Sequence, residues 1–201
     1  GEFAKGYLDQ MITDKQGNII GVPGYAGYLA FWVNQKILDE AGIDKLDTKE
    51  DFKKYMLAVS KDGRYGYGGS WEKTYVFNEI AQFVNMFGGD YFDWTRPENK
   101  EAIQFLYDMV KNNETPIDQI ADKYEQMNPK ANDGKYGCWF MWGLGSDYQK
   151  AGMLGDDKIH MAMVPSMTDD GNRAIFTDSW SYVLNSASKN KEAAIKFLKY
   201  M

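Results

Sequence analysis

GKYGCWFMWGLGSDY, residues 134–148, decides how the rest of the chain is read. It starts polar, runs through Gly137, Cys138, Trp139, Phe140, Met141 and Trp142, and stops at Gly143-Leu144-Gly145-Ser146. An apolar, aromatic-rich run this short, bounded by glycines, predicts a buried strand rather than a helix. Trp142 is its last large side chain, placed where the strand gives way to a glycine turn. α/β proteins place ligands where strand ends open into loops. A tryptophan there is either plain core packing or a wall for a flat ligand.

Working outward, strands alternate with helices, which predicts an α/β protein. Asn34 and Gly42 bracket a short helix as N-cap and C′ residue, and Thr48-Lys49-Glu50-Asp51 is close to a capping box. The helix after it carries Phe52, Tyr55, Met56 and Val59 at i, i+3, i+4, i+7. Phe77, Ile80, Ala81, Val84 and Phe87 line a further helix ended by Gly88-Gly89, and residues 97–112 form another, with Ala102, Ile103, Phe105, Leu106 and Met109 mostly inward. Residues 114–133, with two prolines, are predicted irregular.

On the amino-terminal side, residues 5–13 predict a helix or turn, residues 14–17 a tight turn and residues 18–22 a brief strand. Pro23-Gly24-Tyr25-Ala26-Gly27 predicts a break before a second strand over 28–33. On the other side the expected elements are a helix over 146–153, a strand over 159–164 and a hairpin turn at Asp169–Asn172. Short strands over 174–176 and 180–184 are expected to flank Thr177-Asp178-Ser179. Ser188 is expected to cap a last helix with Ala193, Ala194, Phe197 and Leu198 inward.

The bulk numbers exclude several function classes. The 201 residues are 44% hydrophobic and 26% charged, typical of a globular protein, and the net charge of −6 with no basic cluster argues against nucleic acid. One Cys and one His leave no disulfide framework and no His/Cys zinc site, so no metal is expected. Neither a G-x-S-x-G elbow nor a nucleotide-binding glycine motif is present, so no cofactor is expected. No apolar run approaches the ~18 residues of a membrane span, and neither a signal peptide nor a lipidation motif is visible. The chain begins at Gly1-Glu2-Phe3 and ends inside a helical pattern, which reads as a fragment of a longer protein.

Three expected turns set tryptophan beside polar groups: Ser70-Trp71-Glu72, Trp142-Gly143 and Asp178-Ser179-Trp180. Aromatic residues make up 15% of the chain, with six Trp and fourteen Tyr. Indole faces beside acids and amides suit sugars, whose C–H-rich faces stack while their hydroxyls form hydrogen bonds.

The order of motifs resembles that of the bacterial extracellular solute-binding proteins. The resemblance runs from Gly17–Pro23 and Leu29–Val33 through Asn34-Gln35-Lys36, Ile37–Ile43 and the capped helix from Thr48. It continues through Gly88-Gly89, Gly134-Lys135, Val164-Pro165 and Ser188–Ala194 followed by Phe197-Leu198. It is similar to the sugar-binding branch that includes maltose-binding protein, the receptors feeding ABC importers.

The resemblance implies a periplasmic-binding-protein-like (type II) α/β fold with ligand held between two lobes. Residues 28–173 would form most of the second lobe. Residues 1–27 would supply a first-lobe segment and the first hinge crossover, and residues 174–201 the second crossover with a first-lobe strand and helix. It implies a sugar-binding receptor without catalysis, working with ABC permease subunits outside the cell or in the periplasm. Membrane attachment would come only from a lipid anchor that this stretch does not contain. The expected ligand contacts are Trp71, Glu72 and Trp142, with Tyr25 and Tyr28 from the first crossover and Asp178 and Trp180 from the second. Two other readings stay open at this point. One is a carbohydrate-active enzyme using Glu72 and Asp178 as its carboxylate pair; the other is a domain whose aromatics meet a protein partner.

Overall fold

The 136–142 run does form a strand, and its first five residues are fully buried. In the computed structural model, which describes residues 12–143 and 145–200, five strands are present: β1 (Val22–Asn34), β2 (Tyr65–Gly68), β3 (Tyr136–Trp142), β4 (Ile159–Ala162) and β5 (Thr177–Tyr182). Contacts divide the chain into two compact units. One is Tyr28–Phe176; the other joins the described residues up to Gly27 with those from Thr177.

Within the larger unit β3 pairs in parallel with β2 and antiparallel with β1, which pairs antiparallel with β4, giving the order β2-β3-β1-β4. Side chains alternate across the pleat, and both faces are covered. On one face Cys138 and Phe140 join Leu29, Phe31 and Val33 of β1 under Phe52, Met56, Phe83 and Phe105. On the other, Trp139 and Trp32 pack with Met127, Ala131, Tyr148 and Ile159. Each indole there keeps a partner: Trp139 donates to the Tyr148 hydroxyl at 2.7 Å, and Trp32 to the Met141 carbonyl at 3.1 Å. Burying a large apolar side chain is worth roughly 1.5–3 kcal/mol, so this two-faced sheet is the main source of stability.

The helices α1 (Gln35–Glu40), α2 (Lys49–Val59), α3 (Val76–Met86), α4 (Pro97–Lys111), α5 (Tyr124–Asn132), α6 (Ser146–Lys150) and α7 (Lys191–Tyr200) follow from local chemistry. Asn34 caps α1, and Thr48 and Asp51 form the full reciprocal capping box of α2. On the inner face of α2, Phe52, Tyr55, Met56 and Val59 are all buried, as their spacing predicts.

Several expectations are corrected. Residues 22–34 form one continuous strand, where a break was expected at 23–27. Neither Gly24 nor Gly27 takes a positive φ, and Pro23 stands second in the strand, where a missing donor is tolerated. Of the expected strand over 18–22, Val22 begins β1 and the rest reduces to an isolated bridge between Thr13 and Ile19, closed by the turn in which Asp14 accepts from the Gln16 and Asn18 amides. Residues 114–133 hold a 3-10 turn (Ile117–Ala121) and α5; Pro129 masked the helix, although only one backbone donor is lost there.

Instead of two short strands around a turn, residues 177–182 form the single strand β5, which pairs with β1. Residues 174–176 are not a strand, because their partners are a side-chain amide and one backbone group. In α7, Ala194 and Leu198 are half-buried while Ala193 and Phe197 are exposed, so its apolar stripe is not the inward face expected. The Phe77 and Ile103 side chains are also exposed, 45% and 38%, against the inward placement expected of them. The expected segment over 5–13 lies almost wholly outside the described residues, as does Leu144.

Candidate functional site

β2 and β3 run parallel with Gly68 opposite Trp139, so their carboxyl ends open at one edge of the sheet. Three residues beyond that pair stand Trp71 and Trp142, both half-buried. β1 brings Tyr28 to the same edge: its neighbour Leu29 lies opposite Trp142, and its ring lies so close to Gly143 that a Cβ there would meet it at 2.8 Å. The Tyr28 hydroxyl reaches the Met161 sulfur at 3.8 Å.

Around Trp142 the structure assembles a rim that the sequence did not single out. The indole N–H donates to the Tyr124 hydroxyl at 3.0 Å, and the same oxygen accepts from the Asn78 amide at 3.2 Å. Tyr75 meets Tyr124 edge-on at 4.7 Å, and the Phe176 ring centre lies 6.3 Å from that of Trp142. Burial pushes the Tyr124 phenol up to about 12, so it stays neutral at ordinary pH. Trp71 is anchored separately, its indole N–H donating to Glu79 at 2.9 Å.

The first turns of α3 hold this edge in place. Asn78, Glu79 and Gln82 are all buried, although they are polar and sit on an otherwise apolar helix. Asn78 fixes Tyr124, Glu79 fixes Trp71, and Gln82 bonds the backbone of residues 174 and 176. Their signal in the sequence is three amide or acid side chains at i, i+1 and i+4 inside a buried stripe. Buried polar groups are ordinarily satisfied by something specific.

Glu72 lies at the same edge, and its carboxylate accepts from the amide of Thr74 at 2.9 Å and from the Thr74 hydroxyl. Those bonds hold it below the usual carboxylate range, the opposite of what a glycosidase general acid needs. Tyr25, Asp178 and Trp180 belong to the smaller unit. There Trp180 is 68% exposed, Asp178 is half-buried and the Tyr25 ring lies against Gly27. Asp178 stands inside β5, not in the turn expected for it, and Trp180 lies in the same strand. Burial drives the Cys138 thiol well up, which makes it unfit as a nucleophile. Among the described residues no group of His, Cys, Asp and Glu side chains could hold a metal ion.

Comparison with known proteins adds to this geometry. A family model described as "Bacterial extracellular solute-binding protein" matches residues 1–201. The arabinooligosaccharide-binding protein of Halalkalibacterium halodurans is 28% identical over 201 residues, covering 92% of this chain and 44% of the relative. The chain thus spans less than half the length of that curated relative. Among solved structures, maltose-bound MalE3 of T. maritima superposes with a TM-score of 0.78 at 22% identity, over 100% of this chain and 54% of that one. A sugar transporter protein of Arthrobacter chlorophenolicus with bound laminaribiose gives 0.79 at 18% identity, over 98% and 51%. At these identities the structures establish a shared α/β fold. The matched family and the curated relative are described as binding proteins, not enzymes, so neither supports the glycosidase alternative.

Proposed function

Because the chain belongs to the bacterial extracellular solute-binding proteins, we propose that it is part of a sugar receptor serving an ABC importer. In this reading the receptor works outside the cytoplasmic membrane, periplasmic or held at the surface by a lipid anchor. It takes an oligosaccharide between two lobes and presents it to the permease subunits. The ligand shifts the receptor toward its closed state by as much as its affinity for that state exceeds its affinity for the open one.

One observation carries the sugar assignment. Both tryptophans at the sheet edge have their N–H groups engaged inside the protein, Trp142 by Tyr124 and Trp71 by Glu79. What remains for a ligand is ring surface, flanked by Tyr28, Tyr75 and Phe176. Such faces suit the C–H side of a pyranose or furanose ring. Trp71, Trp142 and Tyr28 are the proposed stacking residues, and Tyr124 joins them as a polar neighbour. Glu72 is proposed to accept hydroxyl hydrogen bonds beside them. Tyr25, Asp178 and Trp180 are proposed as further contacts; their support is their chemistry and accessibility within their own unit. The arabinooligosaccharide-binding relative makes short arabinose oligomers the first ligands to test.

The deciding experiment is tryptophan-fluorescence titration of the complete receptor with arabinotriose, maltotriose and laminaribiose, with the sugar recovered and analysed afterwards. Saturable quenching with the sugar returned intact is expected. Cleavage of the sugar, or the absence of binding to any of a broad set of mono- and oligosaccharides, would overturn the reading.

A further inference from the structure

Glu79 is fully buried, yet it carries a carboxyl group, and every polar group it touches is a donor. Oε1 accepts the Ser70 amide at 2.8 Å; Oε2 accepts the Trp71 indole N–H at 2.9 Å and the Tyr67 hydroxyl. A glutamine could not replace it: it offers one acceptor oxygen, and its NH₂ would face an N–H of Ser70 or Trp71. Burial alone raises the carboxyl, while the three donors act against that rise. Gly69 completes the arrangement. A Cβ there would come within 2.6 Å of both Glu79 Oε2 and Trp71 Nε1, so the backbone makes room for this bond and for nothing larger.

We propose that Glu79 is a positioning residue of the sugar site: it turns the indole N–H of Trp71 inward, so that Trp71 meets its ligand by ring stacking and never by donating a hydrogen bond. The consequence is selectivity for the apolar face of a sugar ring over a ligand that needs a donor at this point. This rests on the reading that Trp71 contacts the ligand. Glu79 itself touches no ligand and acts through Trp71.

The test uses the complete receptor, ¹⁵N-labelled, with the variants E79Q, G69A, W71F and E79Q/W71F, and arabinotriose as the sugar probe. In E79Q the Trp71 indole N–H resonance, identified by its loss in W71F, is expected to shift. The resonances of Trp32 and Trp139 should stay in place, since their partners, Met141 and Tyr148, are elsewhere. G69A, which keeps the carboxylate but crowds the pair, should move the same resonance and stands in if E79Q does not fold. Arabinotriose affinity should fall by about tenfold at most in E79Q, since a freed indole must be re-oriented before it can stack, and should fall no further when E79Q is added to W71F. An unmoved Trp71 resonance, or an equal loss of affinity in the W71F background, would overturn the proposal. If arabinotriose does not bind the wild-type receptor, the receptor reading loses its first ligand, while the indole resonance still decides whether Glu79 holds Trp71.

Discussion

Gln82 and Phe176 are joined as two strands would be joined. The Phe176 amide donates to Gln82 Oε1 at 2.6 Å, and Gln82 Nε2 donates to the Ala174 carbonyl at 2.8 Å. A side-chain amide on a helix thus replaces a missing β neighbour. The Phe176 carbonyl in turn accepts the Leu29 amide at 2.9 Å, which ties residues 174–176 to β1. Q82A leaves two backbone groups without their partners, at about 1–3 kcal/mol for each that stays dry. The expected result is a loss of about 2 kcal/mol or more in urea unfolding, with faster hydrogen exchange at the Phe176 amide. Exchange at Phe176 as slow as in wild type would contradict this role for Gln82.

Tyr124 holds Trp142 and Asn78 through one oxygen. Y124F removes that acceptor and leaves the ring, so packing against Tyr75 survives while two donors lose their partner. The expected destabilisation is about 1–3 kcal/mol. Because burial pushes this phenol up to about 12, spectrophotometric titration should show a tyrosine ionising near that value in wild type and missing in Y124F. The sign follows from the raised value: the stability contributed by the neutral phenol is present at ordinary pH and is lost only as pH rises through the folded value. A Y124F titration curve that matches wild type in the alkaline range would rule this out.

The sheet was legible because its central strand is an uninterrupted apolar run, and α1 and α2 were legible from Asn34, Thr48 and Asp51. Pro23, Gly24 and Gly27 misled because they were read as punctuation, whereas strand pairing holds them extended. Pro129 hid α5 in the same way, since a single lost donor does not outweigh the burial of Met127 and Ala131. At the site, Trp71, Trp142 and Tyr28 stood out as aromatics near strand ends. Tyr75 and Tyr124 did not, because it is the contact between distant segments, not local spacing, that makes them neighbours. Glu79 was legible only as an acid inside an apolar helix face; its three donors come from a different stretch of chain.

The capping box of α2 predicts a specific acid response. Asp51 Oδ2 accepts the Thr48 amide at 3.1 Å, and the Asp51 amide donates to Thr48 Oγ1 at 3.1 Å. Bonding to Thr48 lowers the Asp51 carboxyl below its ordinary 3.8. A lowered folded value means that its stabilisation is present above 3.8 and is lost as pH falls through the folded value. D51N should therefore be less stable than wild type at pH 7, with the gap closing below the ordinary carboxyl value. T48A should cost about 1 kcal/mol at neutral pH. Urea midpoints measured across the acid range provide the check, and a gap between wild type and D51N that does not change with pH would refute the assignment.

Gly68 offers the most severe steric test of the sheet. It lies in β2 against the ring of Tyr136, and a Cβ added there would come 2.2 Å from two ring carbons. Relief is hard to find, because Tyr136 is 1% exposed and belongs to the β3 strand that pairs with β2. Either the ring leaves a packed interior or the parallel pair opens at the residues leading to Trp71. Overpacking of this kind costs about 1–3 kcal/mol, and more where nothing can move. G68A should lower the urea midpoint with an unchanged m-value, and Y136A should partly rescue it by removing the ring, although Y136A alone leaves a cavity. A G68A chain as stable as wild type, or a double variant in which the two losses simply add, would show that the Gly68–Tyr136 contact does not limit this sheet.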